Sequence, residues 1–523
     1  GNTISYSYTG LNWLSTVETP FDNTGNSKTY YGYDNIGNRI SEGVKVTNTT
    51  NRTISYEYDH RNRVIKSTMG NQITNNEYDG VGNVIKVSYG DNKLNAANYT
   101  YDRRNLLTKY IDAMGQSETY TYDDYGNMIS KKDRNGNTIK NNYDALGRLL
   151  NEDTDGINNR FTYNMTGGVK TSVNSNVSQS YTYNNLGLVT NETTGTFSIA
   201  RTYDTWGRNT KNIYKKGSTT YKTQTYTYDS LSRMTKITSA GDNTVSFTAN
   251  YTYDNNSNIT KVADNNCTRT YTYNNANMLT VINNDGSGNL DITYNYEYDY
   301  DGNIYRANDS KGNETLYYYD DSNRLTEETC YSKNGLSYAY VYNYNTLGNR
   351  TSLEYNEDGV DTYRIYYNYD KNNRLLKENK TVYNNQNYSV DHYSITEYSY
   401  DNNGNQISKA KYNQNVENKF TISINDANTD DSTSYEIFTY DRLNELTSYK
   451  NSKGTTATYK YLPNHYRMSK TVDGVLTQQI WDGENIVAEA NSANAILRSY
   501  TRGHQLLTDD DRRAYMYDGH GNI

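Results

Sequence analysis

Five histidines, His60, His392, His465, His504 and His520, and two cysteines, Cys267 and Cys330, are the residues of this chain best suited to bind a transition metal or act as nucleophiles. Their spacing argues against both. No His-x-x-x-His or Cys-x-x-Cys pair occurs, so the tetrahedral donor set that zinc needs is not suggested. There is no Gly-x-Ser-x-Gly elbow, and neither cysteine carries the local signature of a catalytic thiol. Two thiols are too few for a disulfide scaffold, and one bridge or two free cysteines fit equally well. The stretch Glu297-Tyr298-Asp299-Tyr300-Asp301-Gly302 opens like a calcium loop. Asn308, however, stands where the closing bidentate Glu belongs, so the stretch reads as an ordinary turn. Asp509-Asp510-Asp511 reads as a solvated loop. The expectation is a chain with no catalytic, cofactor-binding or metal residues, and not an enzyme.

A second chemistry belongs to tyrosine, which supplies 61 of 523 residues against 6 Phe and 3 Trp. A ladder of exposed rings would stack on sugars, making a carbohydrate or cell-wall platform the rival reading. Leu, Ile, Val and Phe together reach only about 16%, low for a globular chain. The net charge of -8 is too small for the self-repulsion of a disordered one. Tyrosine must therefore carry the core, and evenly spaced rings read first as core and inner wall. Of Trp13, Trp206 and Trp481, Trp206 occupies an apolar turn position and is expected to pack. Scattered basic residues in an acidic chain give no footprint for nucleic acid. No apolar run reaches the 18 or so residues of a membrane helix.

What positions these residues is an internal repeat. The unit is Tyr-Asp-x-apolar-Gly-(Asn or Arg)-apolar, as in Tyr143-Asp144-Ala145-Leu146-Gly147-Arg148-Leu149. It recurs 18 times, at Tyr33, Tyr58, Tyr78, Tyr101, Tyr122, Tyr143, Tyr163, Tyr183, Tyr203, Tyr228, Tyr253, Tyr273, Tyr298, Tyr319, Tyr344, Tyr369, Tyr400 and Tyr440, mostly 20, 21 or 25 residues apart. The position three after the Asp is Gly in ten copies, Asn in six and Ser in two. Gly and Asn tolerate left-handed backbone best. The Asp becomes Asn at Asn164, Asn184, Asn274 and Asn345, which keeps the side-chain acceptor and drops the charge. Its role is thus a hydrogen bond to turn amides, and Asp144→Asn is expected to be nearly silent beside Gly147→Val.

Upstream, Tyr-x-Tyr pairs such as Tyr181/Tyr183 put two rings on one face of a strand. Downstream, pairs such as Val84-Ile85 begin a return strand. Each unit is a β-hairpin with a four-residue turn. Similar turn residues at the opposite end, as in Asp112-Ala113-Met114-Gly115, make the chain a continuous meander. The fold class is all-β, with tandem hairpins forming one antiparallel ribbon. Roughly 20 units of two strands give about 40 strands and a width of about 190 Å at ~4.8 Å per strand. Because sheets twist, the ribbon is expected to spiral into a hollow shell or open barrel about 60 Å across. One turn of such a spiral would leave an open end with exposed edge strands.

These residues resemble the YD-repeat, or RHS-repeat, family of large bacterial surface and toxin proteins, with teneurins as animal relatives. The end of the chain adds to the resemblance. The segments Tyr461-Leu462-Pro463-Asn464-His465, Ile480-Trp481-Asp482-Gly483 and Tyr515-Met516-Tyr517-Asp518-Gly519-His520-Gly521-Asn522 are similar to the approach to an RHS-associated core domain. The division expected is therefore residues 1–450 as YD-repeat spiral and 451–523 as its continuation into that core. The resemblance implies a non-catalytic shell, secreted or at the bacterial cell surface, that encapsulates and delivers a C-terminal toxin module of the same protein. A surface adhesin that binds carbohydrate is the alternative. In many members Asp-Pro motifs build an autoproteolytic site. Here neither Pro20 nor Pro463 follows an Asp, so no residue inherits that role. With no Met before Gly1 and a stop in mid-motif, the sequence reads as a fragment of wall without payload.

Overall fold

The computed structural model describes residues 3–22, 25–45, 51–241, 244–286, 291–384, 389–414, 433–509 and 515–518. His520, Asp510, Asp511 and the Gly519–Asn522 part of the terminal motif lie outside them. Among the described residues there is no helix. The described residues form 44 strands, from Ser5–Tyr8 to Leu506–Asp509, in one antiparallel sheet that is not closed.

One hairpin stands for the rest. Strand Ser178–Tyr183 runs into the turn Asn184-Asn185-Leu186-Gly187 and returns as Val189–Thr194. The Asn184 amide donates to Leu188 O and the Gly187 amide to Asn184 O, both at 3.0 Å. This is a type I turn followed by a left-handed residue, the usual three-residue hairpin loop. Thr182 faces Asn191 and Tyr183 faces Val189, so one residue of the return strand is skipped. The same irregularity sits just before the repeat tyrosine in hairpin after hairpin, at Glu57/Tyr58, Asn142/Tyr143, Thr252/Tyr253 and Ser399/Tyr400. A bulge recurring in this way bends and twists the ribbon at a regular interval.

The left-handed position behaves as its composition predicts. All eighteen Gly, Asn and Ser residues there have positive φ, from 61° at Asn62 to 110° at Gly82. Two further turns have the same geometry without the motif, at Thr9–Trp13 and Leu462–Tyr466, with Asn12 at 62° and His465 at 67°. They were illegible because Thr9 and Leu462 replace the Asp.

The chain divides into two units, each containing two long stretches of ribbon. The first holds Gly1–Thr119, Thr272–Ile282 and Ile292–Tyr435; the second holds Tyr120–Tyr271, Asn283–Asp291 and Glu436–Ile523. Within the first, turns of the later stretch rest against far-end loops of the earlier one. Ser27 Oγ donates to Tyr300 O at 2.7 Å, Ser322 Oγ to Met69 O at 2.8 Å and Asn372 Nδ2 to Asp112 Oδ2 at 2.8 Å. The second unit repeats the arrangement and adds apolar packing, in which Phe197, Ile199 and Tyr214 of the earlier stretch bury against Ile480, Val487 and Ala488 of the later. Leu507 packs in the same way among Ile237, Phe247 and Tyr251.

Candidate functional site

The repeated turn is where the polar chemistry of this chain concentrates. In the copy at Asp59, Oδ1 accepts from the amides of Arg61 at 2.9 Å and Arg63 at 3.0 Å. Oδ2 accepts from Arg63 Nε at 2.8 Å. Hydrogen bonds from the Arg63 side chain and amide hold this carboxyl down to about 2. Where Asn164 replaces the Asp, its Oδ1 still accepts from Thr166 at 3.0 Å and Gly168 at 2.8 Å. The turn therefore needs an acceptor, as the sequence implies. The charge has a second use that the sequence reading missed: all four copies with Asn have Gly168, Leu188, Met278 or Asn349, never Arg, four residues on.

That fourth residue reaches into the next repeat. Arg63 donates to Asp79 O at 2.9 Å and lies 4.5 Å from the centre of the Tyr78 ring. Arg148, Arg208, Arg233, Arg324 and Arg374 do the same to the next tyrosine, at 4.7 to 5.1 Å. Where the fourth residue is Asn, its amide meets the left-handed Asn of the next turn: Asn38 with Asn62 at 3.1 Å, Asn83 with Asn105 at 3.0 Å, Asn303 with Asn323 at 2.8 Å, Asn349 with Asn373 at 2.9 Å. The pairing is written in the sequence. Each of the six left-handed Asn residues follows an Asn in the preceding repeat, whereas every Arg at that place precedes Gly or Ser. Comparing consecutive repeats, rather than aligning all of them, would have found it.

The tyrosines do more than fill the core. Tyr163, Tyr183 and Tyr203 each donate at 2.7 Å to the carbonyl that opens the preceding return strand, at Leu149, Val169 and Val189. That carbonyl lies past the end of the ladder with the following strand, which begins at Asn191 and Ala200 in the third case. The hydroxyl therefore satisfies an acceptor that the bulge leaves over. Trp481 takes the same role late in the chain, its Nε1 donating to Arg467 O at 2.9 Å beside a stacked Tyr466.

The residues singled out for chemistry fall apart from one another. His60 is exposed at a turn, and His392 pairs with Asp391 at 2.8 Å. His504 packs edge-on to Tyr251 and contacts Tyr253 Oη at 2.9 Å; burial pushes its pKa down. His465 lies between Glu445, at 2.9 Å, and Glu152, at 3.4 Å. The Glu445 hydrogen bond raises its pKa, against burial and with help from Glu152. Cys267 and Cys330 are free and buried; burial pushes the Cys267 thiol up to about 11. Among the described residues, no three His, Cys, Asp or Glu side chains form a group that could hold a metal ion. The calcium-like stretch is a repeat turn, with Asp299 as its acceptor and Asp301 paired with Arg52.

Two expectations need correction. Trp206 does not pack into the core: it is 71% exposed, with the Arg208 guanidinium 5.2 Å from the centre of its ring, because the third turn residue points outward, as it does at Tyr125, Leu146, Leu186 and Leu231. Asp509 is not solvated but buried, accepting from Tyr515 Oη at 3.2 Å.

A polar cluster joins the two stretches of the second unit. Asp482 accepts from Arg201 at 2.7 Å, Tyr214 Oη at 2.9 Å and Asn212 Nδ2 at 3.1 Å, and Arg201 also pairs with Glu192 at 2.9 Å. Burial and the neighbouring Asp482 push the Tyr214 hydroxyl well above its ordinary pKa, so it acts as a donor.

Residues 101–138 match the RHS-repeat family and residues 157–299 the teneurin YD-shell. Those stretches therefore carry RHS-type YD repeats. The chain is 30% identical over 198 residues to the tRNA3(Ser)-specific nuclease WapA of Bacillus spizizenii, covering 31% of this chain and 8% of that one. It is 28% identical over 214 residues to the tRNA nuclease WapA of Bacillus subtilis strain 168, covering 39% and 7%. This YD-repeat chain thus spans less than a tenth of the curated relatives it matches. Among solved structures, the Photorhabdus luminescens Tc holotoxin pore aligns with a TM-score of 0.66 at 14% identity, over 95% of this chain and 31% of that one. At that identity the likeness is one of fold.

Proposed function

We propose that this YD-repeat chain is a non-catalytic wall segment of a shell that encloses and delivers a toxin module carried by the same protein, secreted or displayed at a bacterial surface. The observation that carries the reading is the fold likeness to a toxin pore assembly along 95% of the chain. The WapA matches support it, since those proteins are named as nucleases and are 28–30% identical to stretches of this one. In this reading residues 1–450 are repeat wall and 451–523 lead it toward a core domain. The polar seams give the wall its strength: each unit fastens a later stretch to an earlier one through turns rather than through strand pairing.

The test is protease protection in the natural full-length protein. A C-terminal module that resists digestion until the ribbon is unfolded supports encapsulation. A module cleaved as fast as the isolated one overturns it.

A second reading, binding of cell-wall carbohydrate, is favoured by the aromatic turn residues Tyr125 and Trp206, 93% and 71% exposed. Retention on cell-wall polymer that is lost in the double variant Tyr125→Ala, Trp206→Ala would support it. Equal retention by both proteins removes it.

A further inference from the structure

The repeat supplies its own template for a ligand site. In six hairpins an arginine from one turn fills the groove before the next. Its guanidinium lies on the next tyrosine ring, binds its own turn Asp and donates to the carbonyl of the next turn's first residue. Arg233 is representative, with Asp229 Oδ2 at 2.7 Å, Asp254 O at 2.9 Å and the Tyr253 ring at 4.7 Å. The third residue that lines such a groove is small, Gly or Ser, leaving room for the guanidinium.

One groove of the second unit has the frame but not the filling. Between the turns at Asp123 and Asp144 the fourth residue is Asn127, and the left-handed residue it faces is Gly147. Asn127 Nδ2 binds Asp123 Oδ2 at 2.9 Å, and its Oδ1 reaches the open side of Gly147. The side chain then ends, short of where a guanidinium would lie, and Gly147 offers no amide as a partner. An open groove of about 650 Å³ remains, lined by Asp123, Asn127, Asn141, Tyr143, Asp144 and Gly147. Asn141 is 7% exposed, and its Oδ1 has no hydrogen-bond partner. An unsatisfied buried acceptor at the wall of a groove is unfavourable unless a donor reaches it. The exposed Tyr125 and Leu146 flank the opening.

We infer that this groove binds a guanidinium group supplied from outside the ribbon. The Tyr143 face would take the planar cation, the Asp144 carbonyl its N–H groups, and the Asp123 carboxylate its charge. An ammonium lacks the flat face and the forked donors. The groove therefore selects arginine over lysine.

The experiment is calorimetric titration of the full chain with three ligands: the tripeptide acetyl-Gly-Arg-Gly-amide, its lysine counterpart, and N-acetylargininamide. Binding of the arginine tripeptide at least tenfold tighter than the lysine one is expected. Asn127→Arg, which installs the internal occupant found in the other six hairpins, should abolish it without loss of thermal stability. Equal binding of the two tripeptides, or binding that survives Asn127→Arg, overturns the inference. If N-acetylargininamide matches the tripeptide, a small guanidinium compound suffices; if only the tripeptide binds, the source is an arginine within a polypeptide.

Discussion

Tyr203 donates its hydroxyl to the carbonyl of Val189 at 2.7 Å, one repeat earlier in the chain. A phenylalanine would fill the same space and leave that carbonyl without a donor. This is why the repeat position holds tyrosine rather than phenylalanine. Replacing Tyr203 with Phe should destabilise its hairpin by about 1–3 kcal/mol, the penalty for an acceptor left unsatisfied. Hydrogen exchange should show the loss confined to residues near Val189 and Tyr203. A uniform change across the chain would contradict a local role.

Position 147 should be far less tolerant than position 144. Gly147 has φ of +74°, and an added Cβ would lie 3.2 Å from Asn127 Oδ1. Gly147→Val should cost at least about 1–2 kcal/mol from backbone alone. Asp144→Asn keeps the turn acceptor but loses the charge that Arg148 engages at 2.6 Å. It should show a small, salt-sensitive loss rather than silence. Denaturant titrations at low and high ionic strength would separate the two variants.

Consecutive repeats should exchange their pairing only together. Asn38→Arg removes the amide contact to Asn62, and Asn62→Gly removes it from the other side. The double variant recreates the Arg63 and Gly82 combination. A double-mutant cycle should give a favourable coupling of about 0.5–1 kcal/mol. Additive single effects would show that the sequence correlation has another origin.

His465 should make the second unit sensitive to pH. Its pKa is raised above the ordinary 6.5 by Glu445 and Glu152, with Asp441 acting in the same direction. Its stabilising contribution is therefore full below the unfolded value and lost as pH rises through the folded one. His465→Asn keeps a residue suited to the positive φ. The melting temperature of the native protein should exceed that of this variant near pH 5 and converge with it near pH 9. A gap that widens with pH would reverse the assignment.

Removing Asp482 should be the most damaging of these changes. Asp482→Ala leaves Arg201 buried beside Glu192 with one partner fewer and strips Tyr214 of an acceptor. Breaking a fully buried pair costs about 3–5 kcal/mol, and with Asp482 21% exposed the loss here should fall toward or below the lower end of that range. A midpoint unchanged in urea would mean that the cluster carries no load.

The all-β hairpin architecture was legible because local chemistry dictates it. An acceptor at Asp144 and a left-handed residue at Gly147 define a turn wherever they recur, and paired rings at Tyr181 and Tyr183 define a strand. The outward direction of Trp206 was not legible, since apolar character alone does not say which side of a turn a residue takes. Nor were the contacts of Asp482, whose partners Arg201 and Tyr214 lie 281 and 268 residues away. Long-range partners leave no period in a sequence. The Asn127 groove became visible only after the six arginines had shown what normally fills its place.

The two kinds of bond in this ribbon differ in the chain length they close. Tyrosine bonds between neighbouring repeats span 14 residues at Tyr163 and 25 at Tyr400. The seams join residues 273 apart at Ser27 and Tyr300, and 287 apart at Asn174 and Tyr461. Hairpins can therefore form as soon as each repeat leaves the ribosome, whereas a seam must wait for more than half of this sequence to be made. At a synthesis rate of about 5–20 residues per second, that is a delay of roughly 15 to 60 seconds. During that interval the far-end loops remain exposed, and the hairpins already made stand without the seams that later fasten them.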